Sequence, residues 1–145
     1  MALKKQKKPP RPPERSYADR PLLDKLGVKP GSRVAVIGVH DASFFAQLDS
    51  RAADISRGRP KPDSDLIFFD AEAAKDLEQL SSLRSLLKPN GAIWVVYPKG
   101  RQEIREIVVI AGAKRAGLVD NKVVRFSDTH TALRLVIPLA NRSAL

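Results

Sequence analysis

Short, continuously apolar runs separated by turn residues and amphipathic stretches dominate the chain from Pro21 onward. Arg33 to Gly38 (RVAVIG), Asp65 to Asp70 (DLIFFD) and Ala92 to Tyr97 (AIWVVY) carry apolar residues at consecutive positions. That pattern predicts strands of a parallel sheet covered by helices on both faces. Between them, Leu22, Leu23 and Leu26 predict a short helix stopped by Gly27, and Phe44, Phe45 and Leu48 a second one capped by Asp41 or Ser43. Ala73, Leu77, Leu80, Leu83 and Leu87 recur at helical spacing, so one helix is expected over this stretch, stopped by Lys88-Pro89-Asn90-Gly91. A further helix is expected from about Arg101 to Ala116, with Ile104, Ile107, Val108 and Ala111 facing inward and Gly117 as its cap. Ala52 to Ser56 has room for a short strand, and Arg57 to Ser64, with its Gly and Pro, reads as a loop. The end changes character. Val119 to Phe126 and Thr131 to Ile137 are strand-like runs joined by Ser127-Asp128-Thr129-His130, which predicts an antiparallel pair. The expected fold class is α/β, a mostly parallel sheet flanked by helices with a C-terminal antiparallel hairpin.

The first twenty residues do not share this patterning. KKQKKPPRPPER offers almost nothing to bury and places four prolines between Pro9 and Pro13, so residues 1–20 are expected to form a disordered basic arm, 21–140 the domain and 141–145 a tail. Of the formal net charge of +10 over 145 residues, the arm holds seven Lys or Arg against two acids and so supplies half. Such an arm is either a solubilising tail or a hold on a nucleic acid or another acidic surface, without sequence preference and with strong salt dependence. The start lacks the apolar stretch of a secretory signal and no apolar run approaches the ~18 residues of a membrane span, so a cytoplasmic location without membrane attachment is expected. With no cysteine and only two histidines, His40 and His130, far apart in sequence, no metal site is expected.

No nucleophile elbow, phosphate-binding loop, zinc-protease helix motif, kinase set or paired-carboxylate signature occurs, which removes the common hydrolase, NTPase and metalloprotease readings. In an open α/β sheet ligands bind outside the carboxyl ends of the strands. That geometry nominates Gly38, Val39, His40 and Asp41, then Asp70, Ala71 and Glu72, and finally Pro98 to Gly100. Each has a competing local role. Asp41 and Asp70 suit helix N-caps. His40 is the one candidate acid-base residue, set beside Asp41 or Asp70, or else a polar loop residue. Lys99 and Arg101 are candidates to bind an anion or are ordinary surface charges. Trp94 and Tyr97 are expected in the core on opposite faces of their strand, and His130 belongs to turn chemistry at the hairpin tip.

LGVKPGSRVAVIG (Leu26 to Gly38), DLIFFDA (Asp65 to Ala71), LLKPNGAIWVVYPK (Leu86 to Lys99) and GLVDNKVVRFSDTHTALRLVI (Gly117 to Ile137) together resemble a bacterial family of short class I methyltransferase-like proteins known as a domain of unknown function. The resemblance spans about Pro21 to Pro138, with PKG and GLVDNK its more specific parts. It implies a truncated Rossmann-like methyltransferase fold and S-adenosylmethionine as the cofactor, held by Gly38 to Asp41 with Asp70 and Ala71. The chain departs from an active member in lacking an acid near Val36, further glycines after Gly38, and a ribose-binding acid at the end of the second strand. Only 26 residues separate Gly38 from Asp65, which leaves the adenine wall largely missing. An absent ribose acceptor alone costs about 1–3 kcal/mol, roughly 5- to 150-fold in affinity. The resemblance therefore points to a non-catalytic binding or regulatory module, with a protein partner or second copy near the shortened region. The alternatives are a small-molecule S-adenosylmethionine-dependent methyltransferase and a nucleic-acid-associated protein acting through its arm.

Overall fold

A computed structural model describes residues 21–51 and 54–139. The basic arm, the tail and the first two positions of the stretch expected as a second strand lie outside the described residues. The chain runs α1 (Leu22–Leu26), β1 (Arg33–Ile37), α2 (Ala42–Asp49), β2 (Asp54–Arg57), β3 (Ser64–Asp70), a 3₁₀ turn (Ala74–Gln79), α3 (Leu80–Arg84), β4 (Leu87–Pro98), a second 3₁₀ turn (Gln102–Ile104), α4 (Glu106–Arg115), β5 (Val119–Arg125) and β6 (His130–Val136). The six strands form one sheet in the order β2-β1-β3-β4-β6-β5. β1, β2, β3 and β4 are parallel to one another, and β6 runs antiparallel to both β4 and β5. This is the mixed α/β sheet with a C-terminal antiparallel pair that the apolar pattern predicts.

Alternation along each strand divides the core in two. Ile67, Phe69, Ile93, Val95 and Tyr97 face Leu77, Leu80, Ile104, Val109 and Ala113. Val34, Val36, Phe68, Trp94 and Val96 face Leu23, Leu26, Phe44 and Leu48 from α1 and α2. Trp94 and Tyr97 are therefore core residues on opposite faces, and the indole Nε1 donates to the Leu26 carbonyl at 2.9 Å, pinning α1 to the sheet. Phe44 packs edge-on against Phe68 and Phe126, each centroid 4.9 Å away.

Three local expectations change. The helix expected over Ala73 to Leu87 is a 3₁₀ turn followed by the five-residue α3. Its start is held by Asp76, whose Oδ2 accepts from the Glu72 and Ala73 amides at 2.9 and 3.1 Å; Asp70 does not cap it. Lys88 to Gly91 does not lie outside the sheet but within β4, as an irregularity opposite the step from Ser64 to Leu66. Gly91 is required there, because a Cβ would meet the Asp65 carbonyl oxygen at 2.8 Å. The expected helix from Arg101 breaks at Arg105, whose extended backbone (ψ 166°) resets the phase of the turns that follow. Val109, Gly112 and Ala113 consequently face inward, whereas Ala111 is exposed and Ile107 is 65% exposed. Gly117 ends this helix in the left-handed conformation (φ 77°), as expected.

Candidate functional site

β1 leaves the sheet at Gly38, whose φ of 77° suits a residue without a Cβ; an added one would sit 3.2 Å from the Asp70 Cβ. The chain turns through Val39 and the exposed His40 to Asp41, which caps α2 by accepting from the Phe44 amide at 2.9 Å. Across from it, β3 ends in Asp70. Because β6 is antiparallel, it begins where the parallel strands end: His130 pairs with Pro98, the last residue of β4. The hairpin tip thus hangs over the carboxyl ends of β1 and β3. Between them lies a cleft of about 350 Å³, lined by Gly38 to Asp41, Asp70, Glu72, Val96, Phe126, Ser127, Thr129 and His130. Its volume is at the lower end of the range for small-molecule sites.

Asp70, Glu72 and His130 converge in this cleft. His130 Nε2 lies 3.5 Å from Glu72 Oε2 and 3.9 Å from Asp70 Oδ1, and the three donor atoms lie within 4.8 Å of one another. The ring is oriented from behind by Thr129 Oγ1, 2.8 Å from Nδ1. Glu72 is held by Arg101, whose guanidinium reaches Oε1 and the main-chain oxygen at 3.1 Å each, and by the bond from its own amide to Asp76. Burial, reinforced by a hydrogen bond to Glu72 and by that residue's charge, pushes the Asp70 carboxyl up to about 7. The same hydrogen bond, with His130 and Arg101 beside it, holds Glu72 below its ordinary value. A pair of carboxylates whose affinities for a proton are driven apart can give and take one near neutral pH.

The nominated residues divide clearly. Gly38, Val39, His40, Asp41, Asp70 and Glu72 meet in the cleft. Ala71 is buried, its amide bonded to the Val96 carbonyl oxygen, and does not line it. His40 lines the cleft without joining the carboxylates, and it is His130 that meets Asp70. Lys99 and Arg101 lie outside the cleft, and Arg101 is committed to Glu72 and Glu103. His130 has both roles. Its amide bonds Ser127 Oγ within the turn, while its ring joins the carboxylates. The signal that could have found it, along with Phe126, Ser127 and Thr129, is topological: a strand antiparallel to β4 must place its preceding turn at the ligand end of the sheet.

No family model matches the chain, and no curated protein sequence matches it. Solved structures do. The chain is similar to a putative methyltransferase from Thermoplasma acidophilum, at 9% identity over 79% of this chain and 71% of that one, with a TM-score of 0.60. It is similar to an S-adenosylmethionine-dependent methyltransferase from Aquifex aeolicus, at 16% identity over 81% and 88%, with a TM-score of 0.55. The fold is that of the class I methyltransferases. The methyltransferase CalO1 of calicheamicin biosynthesis, solved with S-adenosylhomocysteine bound, matches at 15% identity and a TM-score of 0.52, and this chain spans 50% of its length. At these identities the likeness is one of fold, and no activity passes with it.

β2 is the edge of the sheet, with no strand beyond it among the described residues, and its last residue is Arg57. The Arg57 guanidinium lies 4.1 Å over the Phe45 ring and 3.9 Å from Asp49. Among the described residues, no helix is long and apolar enough to cross a membrane.

Proposed function

We propose that the chain is a methyltransferase-like binding module that does not transfer methyl groups and that holds a small polar ligand in the cleft above β1 and β3. The observation that carries this reading is the end of β2. A hydroxyl-rich ribose needs an acceptor there, and Arg57 supplies only donors, so an adenosyl group would leave its hydroxyls competing for water. The sheet edge at β2 also leaves the adenine without a wall. What remains is the part of the cleft where Asp70, Glu72 and His130 converge, in a lining that also includes Val39, Val96 and Phe126.

Calorimetric titration of the full chain with S-adenosylmethionine and S-adenosylhomocysteine tests this. The expected result is no saturable heat up to millimolar ligand. Micromolar binding that disappears in Gly38→Val refutes it and establishes instead the second reading, a small methyltransferase. That reading is favoured by one observation, the coincidence of the cleft with the Gly38 to Asp41 turn where the resemblance puts the cofactor.

A further inference from the structure

We propose that Asp70, Glu72 and His130 form an open binding site for a divalent transition-metal ion. An ion held at about 2.0–2.2 Å by nitrogen and oxygen ligands in tetrahedral geometry separates neighbouring donors by about 3.3–3.6 Å. The 3.5 Å from His130 Nε2 to Glu72 Oε2 already meets this, and the 3.9 Å to Asp70 Oδ1 exceeds it by a few tenths of an ångström. The donor set is one imidazole and two carboxylates, which suits zinc or manganese better than magnesium or calcium.

Two further features separate the trio from an acidic cluster on a surface. The first is the orientation of the ligands from behind. Thr129 Oγ1 holds His130 Nδ1, which leaves Nε2 toward the carboxylates. Arg101 takes Oε1 of Glu72 and leaves Oε2 toward the imidazole. Partners of this kind fix ring and carboxylate orientation in metal sites. The second is the position of the trio in the wall of the cleft: three protein donors leave coordination positions open to water or to an oxygen of a ligand bound there. The ligands come from two segments some sixty positions apart, brought together by the pairing of β4 with β6.

The site stands apart from whether an adenosyl compound binds, and its test uses Zn²⁺ alone on the full chain at pH 7.5. Calorimetry should show one ion per chain at micromolar zinc. His130→Gln and Glu72→Gln should each weaken binding at least about tenfold, and His40→Gln should leave it within about twofold. Because the chain has two histidines, the imidazole proton resonances of the wild type give a second reading that needs no altered ligand. Those of His130, assigned from the His40→Gln spectrum, should shift and saturate together with the heat. Absence of saturable binding, binding that survives His130→Gln, or unchanged His130 resonances at saturating zinc would each overturn the proposal.

Discussion

Replacing Asp70 with asparagine should stabilise the protein more at pH 8 than at pH 5.5. Asp70 is 18% exposed, and burial beside Glu72 raises its carboxyl from 3.8 to about 7. The folded chain therefore binds this proton more tightly than the unfolded one. The resulting stability is fully present below pH about 4 and is lost as the pH rises through about 7. Between pH 5.5 and 8 the linkage relation gives a loss of about 2 kcal/mol for an isolated group with these two affinities. Because the proton is shared with Glu72, the expected figure is about 1–2 kcal/mol. Glu72 itself is held below its ordinary 4.5 and contributes no slope across this window. The substituted amide keeps the size of the side chain and can still donate a hydrogen bond to Glu72, but it carries no charge at any pH. The difference in Tm between variant and wild type should thus widen by about 4–8 °C from pH 5.5 to 8, followed by thermal circular dichroism with EDTA present throughout. A difference that is the same at both pH values, or a variant less stable at pH 8, refutes the burial argument.

Three other substitutions test the packing. Gly112→Ala should cost about 1–3 kcal/mol in urea unfolding, because the new methyl would lie 2.9 Å from Leu77 Cβ and Cδ1. Trp94→Phe removes the indole donor and leaves the buried Leu26 carbonyl without that bond, so a loss of about 1–3 kcal/mol is expected, with faster amide exchange in α1. Ile107→Ser should change stability by less than about 0.5 kcal/mol, since the side chain is 65% exposed; a loss above about 2 kcal/mol would mean that α4 is rotated from the phase described above.

The strands could be read from the sequence because their signal is local. β1, β3 and the second half of β4 each contain an unbroken apolar run, and no competing helix period fits VAVI or LIFF. The helices were harder to read for an equally local reason. Leucines at helical spacing fit Ala73 to Leu87, but the Asp76 carboxylate binds the two amides before the turn and starts a tighter 3₁₀ conformation. At Arg105, one extended residue is enough to move Ile107 from the expected inner face to the outer one. Half of the site was legible, since Gly38, Asp41 and Asp70 follow from the rule that ligands gather at the carboxyl ends of parallel strands. His130 was not. Ser127-Asp128-Thr129-His130 carries a complete turn signal of its own, and nothing within it reports that the register of β6 against β4 aims the ring at Asp70 and Glu72.

That register also sets which changes of length the chain can absorb. Inserting or deleting one residue within β6 would turn alternate side chains to the opposite face of the sheet. A longer hairpin tip would carry His130 away from two carboxylates fixed to β3 and to Asp76. The connection between β2 and β3 has no such duty, since none of its residues borders the cleft. Variation in loop length should therefore accumulate at residues 58–63 and be resisted at 126–130, a difference that an insertion scan can map directly onto the shape of the cleft.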